Sequence, residues 1–133
     1  MGFALPASLS AKLDYSDRHV ICLTGDGGFA MLASDFTTAV REKLAIKVVV
    51  FNDGKLKNIM KEQARDGYPE FGVNFPNPNF AEFALTCGGE GFRVENPTEL
   101  DAVLKKAFNS NKPSLVEVIV DPEKVAPSGK KID

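Results

Sequence analysis

A chain of 133 residues, 44% hydrophobic and 26% charged, is long enough for one domain with a core and too short for two. Its 16 Lys and Arg residues against 18 Asp and Glu give a net charge of −2, so no overall field attracts nucleic acid or an anionic membrane. No apolar run approaches the about 20 residues of a transmembrane helix, and no signal-peptide pattern is seen. We therefore expect a cytoplasmic protein with no nucleic-acid partner and no transmembrane segment.

Two apolar runs in the first half, residues 20–23 and 45–51, are continuous rather than alternating, which is typical of strands covered on both faces. Residues 30–43 lie between them and repeat apolar side chains at helical spacing, with Met31 among them. This order of strand, helix and strand predicts a parallel pair. A short helix is also predicted over residues 4–13, with an apolar stripe made of Leu5, Leu9 and Leu13.

The second half opens with a charged helical segment and a long irregular loop. The loop, residues 66–79, holds three prolines and two glycines, and loops of this length in a compact domain are often functional. Further elements alternate after it, and the tail beyond Asp121 shows no periodicity. Helices are predicted at residues 56–65, at 80–87 and from 96 onward, and strands at 91–94 and 114–120.

The alternation of strands and helices predicts the fold class, an α/β domain in which helices cover both faces of a doubly wound parallel sheet, three layers in all. We assign residues 1–133 to this single domain. Cys22 falls in a predicted strand and Cys87 near the end of a predicted helix, so both are expected to be reduced core thiols. Ligands of such sheets bind beyond the carboxyl ends of the strands.

A glycine-rich turn at residues 24–29 follows the first strand, where backbone N–H groups and a helix N-terminus favour a phosphate. Asp26 would repel a phosphate unless a cation stands between them, so a divalent metal bridging Asp26 and a diphosphate is predicted. Asp53 follows the next strand and reaches the same sheet edge, where it and the carbonyl groups after it could complete the ligand set. An ordinary tight turn is the alternative. The P-loop and dinucleotide-binding glycine patterns are absent from the sequence.

The Gly-Asp-Gly-Gly-Phe of residues 25–29, followed by the Val-Val-Val-Phe-Asn-Asp of residues 48–53, resembles the signature of the diphosphate-binding domain of thiamine-diphosphate enzymes. Residues 1–13, the Glu62-Gln63 pair and the closing strand extend the resemblance over nearly the whole chain. Pyruvate oxidase and quinone-linked pyruvate dehydrogenase resemble the chain most, and acetolactate synthase resembles it too.

This resemblance implies roles for individual residues. Asp26 and Asp53 would be the side-chain ligands of Mg²⁺, and Lys55 would add its backbone carbonyl. Met1 would prop thiamine diphosphate in its bent conformation, with an initiator methionine as the simpler interpretation. Glu62 would be the catalytic carboxylate that faces the substrate, and an exposed carboxylate paired with a neighbouring lysine fits nearly as well. The other cofactor-binding residues would be Gly2, Gly25, Gly27, Gly28 and Phe29.

One position departs from the family, which usually has Asn where this chain has Asp53. A second carboxylate beside a diphosphate should tighten the metal and demand more positive charge from its neighbours. We expect metal-dependent cofactor binding to survive this change.

The resemblance implies the C-terminal cofactor-binding domain of a thiamine-diphosphate- and Mg²⁺-dependent enzyme that decarboxylates pyruvate or a similar 2-oxo acid. Electrons would pass to FAD held outside this domain, at the membrane periphery if the acceptor is a quinone. The alternatives are an acetolactate synthase-type transferase and a non-catalytic magnesium- and phosphate-binding module. In the family, a glutamate from the pyrimidine-binding domain of a neighbouring subunit activates the cofactor, which implies a homodimer or homotetramer. The chain alone is expected to be inactive.

Overall fold

A computed structural model describes residues 1–123, which form six α-helices and four β-strands. The helices are α1 (Ala4–Asp14), α2 (Asp26–Ala30), α3 (Phe36–Arg41), α4 (Lys57–Arg65), α5 (Phe80–Thr86) and α6 (Leu100–Asn109). The strands are β1 (Ile21–Gly25), β2 (Lys47–Asn52), β3 (Glu90–Val94) and β4 (Ser114–Ile119). Short 3₁₀ turns, Ala33–Asp35 and Pro97–Glu99, lead into α3 and α6. Most of the tail predicted after Asp121 lies outside the described residues.

The four strands form one parallel sheet in the order β1-β2-β4-β3. Helices α1, α2, α3 and α5 pack on one face, and α6 packs on the other. From β1 to β2 to β3 the chain moves across the sheet in one direction, and from β3 to β4 it moves back. Because crossovers between parallel strands are right-handed, this reversal places α6 on the second face. The predicted class, a doubly wound α/β sheet with helices on both faces, is therefore confirmed. Because the strands are parallel, their carboxyl ends all lie at the same edge of the sheet.

The helix predicted over residues 30–43 is wrong in its bounds. Helix α2 starts earlier, at Asp26, directly after the extended backbone of Gly25 (φ −80°, ψ 161°). It ends after one turn, because Leu32 leaves the helical region (φ −135°, ψ 29°), and α3 forms only after the 3₁₀ turn. As a result Met31, expected on the apolar side, is exposed. In α1, likewise, the last leucine of the predicted stripe, Leu13, is exposed.

Strand β1 is less covered than its apolar run predicts. Cys22 is buried under the helices of the first face, whereas Ile21 and Leu23 are 47% and 61% exposed. This happens because β1 is an edge strand, while α6 packs mainly over β3 and β4 on the second face. An apolar groove of about 260 Å³ is left between β1, β2 and α6. The prediction of two covered faces is wrong for β1.

The two cysteines are free thiols, as expected. Cys22 is buried in β1, and Cys87 is half-buried just after α5. Burial raises the pKa of both thiols, and a hydrogen bond with Ser8 offsets only part of this effect at Cys22. A raised pKa keeps a thiol protonated and weakly nucleophilic, so both are core side chains rather than reactive groups.

Lys47, at the start of β2, is a buried lysine that donates to the carbonyl oxygens of Ser110 at 2.7 Å and Lys112 at 2.8 Å. Burial lowers the pKa of its ammonium group; Glu90 opposes this shift and Lys12 adds to it. The unfolded chain therefore keeps this proton to higher pH. We expect the free energy of unfolding to rise with pH between the folded-state pKa and the ordinary lysine value. Urea unfolding across this range should show a steeper rise in the wild type than in Lys47→Met, and equal slopes would contradict the prediction.

Candidate functional site

Asp26 is the first residue of α2 and is only 4% exposed. Its Oδ1 accepts a hydrogen bond from the N–H of Gly27 at 2.7 Å. Its Oδ2 accepts hydrogen bonds from the N–H of Gly54 and from Nδ2 of Asn77, both at 2.7 Å. These bonds join the glycine-rich turn to the turn after β2, as their shared strand edge predicts. Oδ1, with one donor, keeps more lone-pair capacity for a further partner than Oδ2 does.

Gly54 is the residue that presents a backbone N–H to Asp26. Its φ of +67° lies in the left-handed region, which a side chain disfavours. A Cβ at this position would also lie 3.3 Å from the carbonyl oxygen of Phe75. Glycine is therefore required for the turn that carries the Gly54 N–H to the carboxylate.

The glycine-rich turn forms one wall of a pocket of about 340 Å³. A Cβ on Gly27 would lie 2.8 Å from Cδ2 of Leu56 and 3.2 Å from Cε of Met1. A Cβ on Gly28 would lie 2.9 Å from Oγ1 of Thr24. A side chain at either position would have to displace the side chains of Leu56, Met1 or Thr24, whereas with glycine the backbone of the turn itself forms the wall that a phosphate would meet.

The N-terminal segment reaches the same pocket. Met1 lines it and is otherwise exposed. Gly2 lies next to the turn, with its backbone nitrogen 3.9 Å from a Cβ placed on Gly28. The predicted binding residues that line the pocket are Met1, Gly25, Asp26, Gly27, Gly28 and Lys55.

Four predicted site residues are not among those that line this pocket: Gly2, which lies beside the turn, Phe29, Glu62 and Asp53. The ring of Phe29 is buried in the core and packs edge-on against Phe80, with ring centroids 5.2 Å apart. Because α2 starts at Asp26 and turns the Phe29 side chain inward, only the backbone of Phe29 is left to contact a ligand, and its cofactor-binding role stays a prediction. Glu62 is exposed on α4 and is not among the residues that line the pocket. Its substrate-facing role stays a prediction.

Asp53 is held by two lysines. Its Oδ1 accepts the N–H of Lys55 at 3.0 Å, and its Oδ2 pairs with Nζ of Lys57 at 3.0 Å. It lines a second pocket, of about 310 Å³, that also includes Asn77 and Arg93. The Lys57 ammonium offsets the negative charge of the Asp53 carboxylate. The role of Asp53 as a metal ligand stays a prediction.

The Asp53–Lys57 pair should make a measurable contribution to folding, because its side chains are only 17% and 19% exposed. In a double-mutant cycle of Asp53→Asn and Lys57→Met, we expect a coupling of about 1 kcal/mol in the free energy of unfolding. The Asp101–Lys105 pair has the same spacing but is 80% and 72% exposed, so it serves as a control with a smaller coupling. Zero coupling between Asp53 and Lys57 would show that this pair does not offset the charge.

The irregular loop of residues 66–79 docks on the turn after β2. Val73 is buried, and its carbonyl oxygen accepts the N–H of Leu56 at 2.8 Å. This docking brings Asn77 to Asp26. Asn77 was not singled out from the sequence. The only signal for it was its place in a long, proline-rich loop of the kind that is often functional.

The oxygen atoms available as metal ligands at this edge of the sheet suit a hard cation. Within residues 1–123, no three His, Cys, Asp or Glu side chains converge on a common point. A metal here would therefore use few side chains and take its other ligands from backbone carbonyls and phosphate oxygens. The carboxylates of Asp26 and Asp53 and the carbonyl of Lys55 are all oxygen donors, which fits Mg²⁺ and not a soft metal. Because α2 has only five residues, an anion would depend on the backbone N–H groups of the turn more than on a helix dipole.

A parallel α/β sheet with a glycine-walled pocket and an anchored aspartate at its carboxyl edge is the architecture of a cofactor-binding domain. Residues 1–118 match the family described as the C-terminal TPP-binding domain of thiamine pyrophosphate enzymes, TPP being thiamine diphosphate. The chain belongs to this family. The resemblance drawn from the Gly-Asp-Gly-Gly-Phe and Asn-Asp motifs is thereby confirmed.

Individual relatives agree with the family. A Bacillus subtilis protein named as thiamine pyrophosphate-containing is 36% identical over 127 residues, which are 96% of this chain and 22% of that protein. The acetolactate synthase of Bacillus subtilis is 34% identical over 121 residues, 91% of this chain and 21% of the relative. A 2-hydroxyacyl-CoA lyase of Arabidopsis thaliana is 34% identical over 138 residues, 98% of this chain and 24% of the relative. The chain thus spans less than a quarter of the length of each relative.

Proposed function

We propose that this chain binds the diphosphate end of thiamine diphosphate through Mg²⁺, as one domain of an enzyme that acts on pyruvate or a similar 2-oxo acid. The observation that carries the proposal is the anchored carboxylate of Asp26. In a domain of the thiamine pyrophosphate enzyme family, it stands in the wall of a glycine-lined pocket at the carboxyl edge of the sheet.

The residues that would hold the metal are Asp26, Asp53 and the backbone carbonyl of Lys55. Gly27 and Gly28 would present their backbone to the diphosphate, and Met1, which lines the same pocket, would support the rest of the cofactor. When bound, thiamine diphosphate supplies a nucleophilic carbon and an electron sink for the loss of carbon dioxide from a 2-oxo acid. The contribution of this chain is to bind and orient the cofactor.

Two reaction types fit the proposal. A pyruvate oxidase or quinone-linked dehydrogenase would pass the electrons to FAD bound by another domain. A transferase of the acetolactate synthase type would instead add a second 2-oxo acid. Acetolactate synthases are among the relatives at 34% and 32% identity, which supports the transferase at least as well as the oxidase.

The enzyme would be completed by a pyrimidine-binding domain of a neighbouring subunit, in a homodimer or homotetramer. Two exposed apolar residues, Met1 and Ile59, line the pocket, which supports a partner surface on that side. No helix within residues 1–123 is both long and apolar enough to cross a membrane. The cytoplasm, or the membrane surface for a quinone-linked enzyme, is the proposed location.

Product analysis tests this function. The protein that carries this domain together with a pyrimidine-binding domain would be supplied with pyruvate, thiamine diphosphate and Mg²⁺. Acetolactate as product would identify the transferase, and FAD-dependent reduction of ferricyanide with release of carbon dioxide would identify the oxidase. Failure to consume pyruvate or any other simple 2-oxo acid would overturn the proposed substrate class. The 133-residue chain alone should form neither product.

A further inference from the structure

Glu117 of β4 is a fully buried carboxylate outside both pockets. Its Oε1 accepts Nδ2 of Asn52 at 2.6 Å. Its Oε2 accepts Nη1 of Arg93 at 3.1 Å and the backbone N–H of Ala81 at 3.4 Å. A carboxylate that accepts from three donors has no donor of its own, so it dictates which end of each neighbouring polar group faces it.

This constraint passes from Glu117 to the site through two asparagines. Because Asn52 turns Nδ2 toward Glu117, its Oδ1 faces away and accepts Nδ2 of Asn77 at 2.8 Å. The same Nδ2 of Asn77 donates to Oδ2 of Asp26 at 2.7 Å. Glu117 and Asp26 are both acceptor-only carboxylates, so they fix the orientation of the two amides from opposite ends, and Glu117 supports the amide orientation that presents an N–H group to Asp26.

We infer that Glu117 is a positioning residue for the metal site: through Asn52 and Asn77 it keeps a hydrogen-bond donor on Oδ2 of Asp26. Gly54 supplies the second donor to Oδ2, so this oxygen is saturated and Oδ1 is the one turned to a cation. The part of this inference that concerns the metal rests on the proposed function. The part that concerns amide orientation does not.

The ion pair with Arg93 alone does not explain the buried carboxylate. Arg93 also pairs with Glu95 at 2.8 Å and is partly exposed, so it has a partner without Glu117. The shortest of the three bonds runs from Asn52 on the side of the site. Glu117 thus acts on the orientation of Asn52 as well as on the pairing of β3 with β4.

Glu117→Gln in the 133-residue chain separates these roles. A glutamine that keeps its oxygen toward Arg93 and Ala81 must turn its NH₂ group toward Asn52. Asn52 then has to rotate, and Asn77 can no longer donate to both Asn52 and Asp26. We expect the side-chain amide NMR signals of Asn77 to shift, although Asn77 does not touch Glu117. We also expect the affinity for Mg²⁺ in the presence of thiamine diphosphate to fall about tenfold, as for other residues that orient a metal ligand.

Val116→Ala is the matched control. Val116 is the preceding residue of β4, is equally buried and packs on the opposite face with α6, so this variant loses stability without touching the hydrogen-bonded chain. Its Asn77 signals and Mg²⁺ affinity should match the wild type. Asn77→Ala is the second variant. It alters a loop residue, so it tests the hydrogen bond from Asn77 to Asp26 even where Glu117→Gln does not fold. It should weaken Mg²⁺ binding by a similar factor.

The outcomes separate the two proposals. Unchanged Mg²⁺ affinity in both Glu117→Gln and Asn77→Ala would overturn the inference and leave the proposed function standing. An equal loss of affinity in Val116→Ala would also overturn it, because the effect would then be one of general stability. If the wild type shows no Mg²⁺-dependent binding of thiamine diphosphate, the proposed function fails. The Asn77 signals of Glu117→Gln still decide whether the amide orientation is set by Glu117.

Discussion

Replacing Asp26 with asparagine should remove the Mg²⁺-dependent part of thiamine diphosphate binding, with a loss of affinity of at least about 100-fold. Among residues 1–123, Asp26 is the one carboxylate that lines the glycine-walled pocket, and the substitution removes its charge. It also sets an NH₂ group against backbone or side-chain donors, since Gly27, Gly54 and Asn77 all donate to Asp26. Both the charge and the orientation of the ligand are therefore lost.

The matched control for Asp26→Asn is Asp101→Asn. Asp101 lies on α6, is largely exposed and pairs with Lys105 away from the pocket. Calorimetric titration with thiamine diphosphate, with and without Mg²⁺, should give wild-type values for this variant. Retention of metal-dependent binding by Asp26→Asn would mean that the metal lies elsewhere.

Gly91→Ala should produce the largest loss of stability from a single methyl group. A Cβ on Gly91 would lie 1.8 Å from the carbonyl oxygen of Ala81 and 2.6 Å from its carbonyl carbon. These are backbone atoms of α5, so the clash can be relieved only by moving the helix away from β3. We expect the free energy of unfolding to fall by at least about 3 kcal/mol, measured by urea unfolding.

Gly25→Ala is the control for Gly91→Ala. No atom lies within 4 Å of a Cβ at Gly25, and the backbone there is extended. Its stability should change by less than about 1 kcal/mol. A Gly91→Ala variant as stable as Gly25→Ala would contradict the close packing of α5 on β3.

Much of the site could be predicted from the sequence because it depends on strand order. The glycine-rich turn follows β1 and Asp53 follows β2, and parallel strands bring such turns to one edge. The hydrogen bond between Asp26 and Gly54 is the direct result. The continuous apolar runs likewise predicted a parallel sheet, since strands of this kind are usually covered by helices.

The rest of the site depends on contacts between distant parts of the chain. Asn77 lies 51 residues from Asp26, and Glu117 lies 65 residues from Asn52. A glutamate in an apolar strand gives no indication of which donors will surround it, and an asparagine in an irregular loop has no periodicity to place it. The inward direction of the Phe29 ring was not predicted either, because it depends on the start of α2 at Asp26.

The exposed face of β1 shows a second limit of sequence patterns. An apolar run predicts that a strand can be covered on both faces. It does not predict that this domain supplies a helix to cover each face. Ile21 and Leu23 are apolar and exposed, because α6 lies over the other half of the sheet.

The central claim is that a metal held at Asp26 binds the diphosphate of the cofactor to this chain. Titration calorimetry of the 133-residue chain with thiamine diphosphate, in Mg²⁺ and then in a chelator, tests it most directly. The account predicts binding that is at least about tenfold tighter with Mg²⁺, and no binding of thiamine, which lacks the diphosphate. Equal affinity with and without Mg²⁺, or equal affinity for thiamine, would contradict it.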